Sequence, residues 1–188
     1  MGGVRGMLPG GSRNSSSRAL RFVILLGLVS LFADVTYEGA RGITGPFLAL
    51  LGASGAVVGF VAGFGELAGY ALRLLSGYLS DRTQQYWALM LGGYGMNLMS
   101  VPLLALAGRW EVAALLILGE RMGKGIRTPA RDVLLSHATK QMGRGLGFGF
   151  HEAMDQMGAI LGPLLIAGVL YFKGSYRTGF LILLVPAL

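Results

Sequence analysis

Residues 22–51 read FVILLGLVSLFADVTYEGARGITGPFLALL, an apolar run that carries Asp34, Glu38 and Arg41 near its middle. Neither 22–33 nor 42–51 alone is long enough, at about 1.5 Å per helical residue, to cross the ~30 Å hydrocarbon core of a bilayer. The whole stretch is, as one long tilted helix with a polar waist and a bend near Pro46. Spacings of four and three put the three ionisable groups on one helical face. The run 22–33 ends at Asp34 without a small-residue cleavage site, so it reads as a helix rather than a signal peptide. This stretch commits the chain to hydrophobic helices that carry ionised side chains at bilayer depth.

Composition agrees. Only 13% of the 188 residues are charged and 53% are hydrophobic, with a mean hydropathy of +0.61, whereas a soluble domain carries about 25% charged residues. Such a chain has too little polar surface to cover itself in water. Glycine accounts for 32 residues, more than twice the usual share of about 7%, with no collagen period. Small residues let membrane helices approach closely, so the excess suits a packed bundle. A formal charge of +7 would point to nucleic acid in a soluble protein. Here the basic residues lie mainly between apolar spans, so no nucleic-acid partner is expected. Cysteine is absent, which excludes disulfides and thiolate metal sites.

Working outward, residues 1–18 read as a disordered cytoplasmic tail and 19–188 as a transmembrane bundle. The expected spans are 20–51, 57–79, 86–107, 112–130, 145–172 and 176–188. A basic, partly amphipathic stretch from Arg127 to Arg144 is expected at the interface after the fourth. The sixth, 13 residues long, covers about 20 Å and reads as unfinished. Arg5, Arg13, Arg18, Arg21, Arg82, Arg127, Arg131, Lys140 and Arg144 fall on one side, against Arg109, Lys173 and Arg177 on the other. By the positive-inside rule the amino terminus and the connection between spans four and five face the cytoplasm, in an integral cell-membrane protein.

The ionisable groups inside these spans are the candidate site. Glu38 and Arg41 can pair within their helix, while Asp34, about 10.5 Å from Arg41 along the axis, needs another partner, water or a proton. Glu66 falls near mid-bilayer. Arg73 and Lys124, nearer the cytoplasmic end, have a plain reading as snorkelling side chains. Glu120 and Arg121 point about 100° apart and do not face each other; Arg121 is the better candidate for an anion or a carboxylate on another helix. In span five His151 and Asp155 are four apart, with Glu152 offset by one. Two readings stand: a satisfied ion network that fixes helix packing, or a water-filled path with substrate and proton contacts. The cost of ionised groups at this depth favours the second. No His/Asp/Glu spacing specifies a metal, no cofactor is expected, and the nine Met residues read as packing material. Gly59-x3-Gly63, Gly65-x3-Gly69 and Gly158-x3-Gly162 suit close helix crossings.

Three motifs now align. Gly77-Tyr78-Leu79-Ser80-Asp81-Arg82 resembles G-x-L-[SA]-D-R, the signature between helices two and three of the major facilitator superfamily, with a departure around Gln84-Gln85-Tyr86. Arg121 with Gly125 is similar to the helix-four signature, with Arg127 where another glycine is common. Gly149, Gly158, Gly162 and Pro163 follow the spacing G-x8-G-x3-G-P, resembling the helix-five motif of antiporters, with Ile166-Ala167 in place of its later glycine pair. Gly123 to Asp132 resembles a prokaryotic subgroup.

The resemblance implies an all-α polytopic fold of two six-helix bundles, of which this chain is the amino-terminal half with an incomplete sixth helix. It implies alternating access around a substrate site between the halves. Asp81 and Arg82 carry over the conformational charge motif together with Gly77, and Gly158, Gly162 and Pro163 the gating segment. The expected function is secondary transport of a small solute, as proton-coupled export. Asp34, Glu38, Glu66, Glu152 and Asp155 then line the substrate or proton pathway, and Arg41 and Arg121 organise carboxylates or anionic substrate. The expected partners are the solute, protons, lipid, and a carboxy-terminal six-helix half or a second half-sized chain. The alternative is a non-transporting membrane assembly partner. A membrane enzyme has only His151, Glu152 and Asp155 as a basis, so no enzymatic activity is expected.

Overall fold

The computed structural model describes residues 12–141 and 143–188, with the backbone alone for 12–16 and Gln141. The tail expected over 1–18 lies outside the described residues as far as residue 11. From Ser12 the chain is helical, because neither Gly nor Pro interrupts it before Gly27.

Seven α-helices follow: α1 (Ser12–Leu50), α2 (Gly55–Thr83), α3 (Tyr86–Leu103), α4 (Trp110–Ala138), α5 (Arg144–Tyr171), α6 (Tyr176–Ile182) and α7 (Leu184–Ala187). Their ends have local causes. Ser54 caps α2 by accepting a hydrogen bond from the Val57 amide at 3.4 Å, and Ser175 caps α6 through the Thr178 amide at 3.2 Å; each satisfies an amide that the first turn leaves free. Pro102 lies in the last turn of α3, and the chain tightens into a 3₁₀ turn over Leu104–Leu106. Pro46 and Pro163 both stay within their helices.

Among the described residues, four helices are long and apolar enough to cross a membrane: Ser17–Leu50, Gly55–Thr83, Tyr86–Leu106 and Arg144–Tyr171. Helix α4 has the length but too many charges. It nevertheless occupies the most connected position, packing extensively on α3 and α2 and also touching α1 and α5. It continues to Ala138, so residues 127–138 are not a separate interfacial segment. The final apolar stretch is broken at Leu183 into α6 and α7; Leu183 and Phe180 are fully buried, and Phe180 meets Phe47 of α1 edge-on at 5.1 Å. Two apolar clusters hold the bundle. Helix α4 gives Ala113, Ala114 and Ile117 to one, and Ala130 and Leu135 to the other.

Glycine makes the tightest seams. Gly158 and Gly162 of α5 lie against the α1 backbone, where a β-carbon on Gly162 would sit 2.7 Å from the Gly39 nitrogen. Gly69 and Gly125 bring α2 and α4 together in the same way. Gly59 and Gly63 meet open space instead, so that pair makes no crossing. A wide apolar face, including Phe60, Phe64, Leu67, Leu74 and Tyr78 of α2 and Ile160, Leu161 and Leu164 of α5, is left exposed, as suits helices in contact with lipid or other apolar helices.

Gly162→Leu should therefore lower the thermal unfolding midpoint in detergent, with a cost of about 1–3 kcal/mol or more from overpacking. Gly59→Ala, which fills open space, should leave the midpoint unchanged or raise it.

Candidate functional site

The side chains that decide this site are charged, and helix α4 supplies half of them. Glu120, Lys124, Arg127 and Arg131 follow one another at spacings of four, three and four, which stacks them along one face for about 16 Å, half the thickness of a bilayer core. Arg121 and Asp132 flank that face. In hydrocarbon each such charge requires a partner. The neighbouring helices provide one for every charge.

Toward the end marked by Glu120, Glu66 of α2 accepts from Arg121 and, at 3.2 Å, from Arg41 of α1. Arg41 also lies 3.7 Å from Glu38, and Glu38 lies 3.7 Å from Lys124. Lys124 sits over the Tyr37 ring, 3.5 Å from its centroid, a cation–π contact that partly replaces hydration. Glu120 is buried; it accepts from the Asn97 side chain at 2.9 Å, and its other oxygen is 3.4 Å from Arg121 Nε. The two neighbours thus do pair, contrary to the expectation from their 100° separation.

Toward the other end, Arg127 is 1% exposed, 3.4 Å from Asp34 and 4.3 Å from the Tyr94 ring centroid. Arg131 reaches Asp155 of α5 at 3.2 Å, Ser30 Oγ at 3.1 Å and Asp132 at 3.0 Å. Asp132 in turn lies 3.8 Å from Arg73 of α2. His151 is buried, its Nδ1 3.7 Å from Asp155.

Six carboxylates and six bases are joined in this way across four helices. Helix α4 brings four bases and two carboxylates, an excess of two positive charges. Helix α1 brings two carboxylates and one base, α5 one carboxylate, and α2 one of each, so the set is neutral. Beside it, α1, α2 and α4 enclose a half-open cavity of about 170 Å³, lined by Tyr37, Arg41, Glu66, Tyr70, Arg73, Arg121, Lys124 and Thr128 among others. No cluster of three metal-ligating side chains occurs among the described residues.

Of the pathway residues expected from sequence, Asp34, Glu38, Arg41, Glu66, Arg121 and Asp155 come together in this network. Glu152 does not: it is exposed and accepts from Gln156 one turn on at 2.8 Å, since its one-residue offset from His151 turns it away from α4. Gly158 and Gly162 form the α1 seam, and Pro163 faces outward from α5. Gly77 faces Pro129 of α4. Asp81 and Arg82 are exposed, with Arg82 donating to Tyr78 at 3.1 Å; among the described residues Asp81 makes no ion pair.

Six network members were absent from the pathway expected from sequence: Arg73, Glu120, Lys124, Arg127, Arg131 and Asp132. Arg73 and Lys124 are ion-paired rather than snorkelling, and Arg127, buried, and Arg131, partly buried, are partners of carboxylates rather than interfacial markers. Asp132 joins two helices. The signal was the 4-3-4 spacing from Glu120 to Arg131, which runs past the end of the apolar window.

A family model described as Major Facilitator Superfamily matches residues 23–188. Uncharacterised proteins of Mycobacterium bovis and Mycobacterium tuberculosis are each 53% identical over 165 residues, covering 88% of this chain and 40% of theirs. An uncharacterised MFS-type transporter of Methanocaldococcus jannaschii is 35% identical over 166 residues, covering 87% of this chain and 42% of its own. The chain thus spans about two-fifths of the length of these curated relatives.

Arg127→Met strands Asp34 in the bundle and should cost about 3–5 kcal/mol of unfolding free energy, whereas the double replacement with Asp34→Leu should recover most of that loss. A double-mutant cycle by denaturant unfolding in detergent measures both.

Proposed function

The chain belongs to the major facilitator superfamily, and from that membership we propose that it supplies the amino-terminal half of a secondary transporter that moves a small solute by alternating access. The observation that carries the coupling mechanism is the pair of ion contacts Asp34–Arg127 and Asp155–Arg131. They tie α1 and α5 to α4 at membrane depth. A proton on either carboxylate removes its charge and releases a base from its partner, which alters how these helices hold together. Proton arrival and departure then bias two arrangements of the bundle, as a coupled carrier requires. We read the direction as export and the protein as an antiporter of the cell inner membrane, exchanging solute for protons. Glu38 and Glu66, which share bases beside the cavity, are further proton or cation sites, and Arg41 and Arg121 hold carboxylates in register.

The missing share of the fold is a carboxy-terminal six-helix half or a second half-sized chain, and the exposed apolar faces of α2 and α5 suit such a neighbour or lipid. The orientation rests on bases outside the network: Arg18, Arg21, Arg82, Lys140 and Arg144 are exposed at the end we assign to the cytoplasm, which attracts positive residues. Residues 19–188 are one bundle in this reading, and Gly77, Asp81, Arg82, Gly158, Gly162 and Pro163 serve its conformational change.

In proteoliposomes that hold this chain within its complete transporter, a pH jump should drive proton flux that depends on solute, and Asp155→Asn should abolish that flux. Solute movement that persists with no accompanying proton flux in the wild-type protein would end the coupling mechanism.

A further inference from the structure

The cavity between α1, α2 and α4 is unbalanced where the network as a whole is neutral. Arg41, Arg73, Arg121 and Lys124 line it, against Glu66 as its one acidic lining residue. One Glu66 oxygen already serves both Arg41 and Arg121. Glu38, which balances Lys124 and part of Arg41, is not among the lining residues.

The bases on the cavity also have donors to spare. A guanidinium offers five N–H groups and an ammonium three. Arg41 donates one hydrogen bond, to Glu66. Arg73 has no hydrogen bond among the described residues, and its only ion pair there is the 3.8 Å contact with Asp132. Lys124 has the 3.7 Å contact with Glu38 and the face of Tyr37. Arg41 and Arg73 are half-exposed, at 50% and 49% of their side-chain surface, so their free N–H groups are open to a ligand. The space, about 170 Å³, is several times the ~30 Å³ share of one water. It suits a solute of a few heavy atoms.

We propose that the solute carried at this site is a small oxyanion, whose carboxylate or phosphate oxygens are taken by Arg41, Arg73 and Lys124. Planar guanidinium forks match either group. With four bases against one carboxylate the lining disfavours a cationic solute, and a neutral one offers too few acceptors for the donors present. The tyrosines Tyr37 and Tyr70 wall the site with aromatic surface and leave the charged contacts to the three bases. This assignment rests on the transport reading for the word solute; the oxyanion site itself stands on the cavity.

The test needs no gradient and no known substrate. The purified chain is placed in phosphatidylcholine nanodiscs and treated with an amine-reactive acylating reagent, and modification is followed by mass spectrometry. The sequence has three lysines, and Lys140 and Lys173 are exposed outside the cavity, so they serve as internal references. Inorganic phosphate or succinate should slow acylation of Lys124 several-fold while leaving Lys140 and Lys173 unchanged, and the stronger of the two identifies the oxyanion. Succinamide and putrescine should have no effect. Arg73→Gln should raise the anion concentration needed for half protection about tenfold or more, as expected for loss of a charge-assisted contact; Arg109→Gln, at a distant turn, should not.

Absence of selective Lys124 protection by either anion overturns the proposal, as does equal protection by succinamide or putrescine. Protection that appears only when phosphatidylglycerol is in the disc assigns the pocket to a lipid headgroup and overturns it too. Because the footprint is read on the wild-type chain, a variant that fails to fold does not decide the result. Selective protection in a protein that moves no protons removes the coupling and keeps the anion site; proton flux without protection does the reverse.

Discussion

Four bases within eleven residues of α4 have to be neutralised inside a bundle that is otherwise apolar. An unpaired charge at that depth costs several kcal/mol, more than a single apolar contact returns. The partners are spread over three other helices: Asp34 and Glu38 on α1, Glu66 on α2 and Asp155 on α5. No one neighbour can satisfy α4, so α4 has to touch all three. This accounts for an arrangement that hydropathy alone would not produce, in which the most polar helix is also the most connected one.

Charge draws the helices together, and small residues decide how close they come. Where Gly158 and Gly162 face α1, backbones meet directly and leave no room for a side chain. The ion pairs are looser, several of them at 3.4–3.8 Å. Six of the nine acidic residues are in that neutral set. The formal charge of +7 consequently arises wholly from residues outside it, in the amino-terminal region and near the helix ends, where basic residues bear on orientation rather than on packing.

This division explains what was legible in the sequence. Asp34, Glu38, Glu66 and Asp155 stand out because each interrupts an apolar run, where a charge has no cheap location. Arg127 and Arg131 do not stand out, because basic residues that follow an apolar run look the same whether they begin a cytoplasmic loop or continue a buried face. Only the unbroken 4-3-4 spacing from Glu120 separates the two cases, together with a helix that runs on to Ala138. The helices themselves were legible from hydropathy and turn residues. The break at Leu183 was marked as well, by Pro186, which has no N–H to donate to the Ile182 carbonyl; reading 176–188 as one apolar run passed over that signal.

The residues that identify the family and those that would choose a solute are largely different residues. Gly77, Asp81 and Arg82 lie toward the end of α2, two of them exposed, and Gly158 and Gly162 are spent on the seam with α1. Conformational change requires such positions whatever is carried, so a family can keep them across many substrates. The cavity is lined by Arg41, Glu66, Arg73 and Lys124, which belong to none of the three motifs, and by Arg121 and Gly125, which belong to the helix-four one. A match to the superfamily over residues 23–188 thus leaves the chemistry of the cavity open. What the cavity can hold has to be read from the bases that face it, and from which of their donors the protein itself leaves unused.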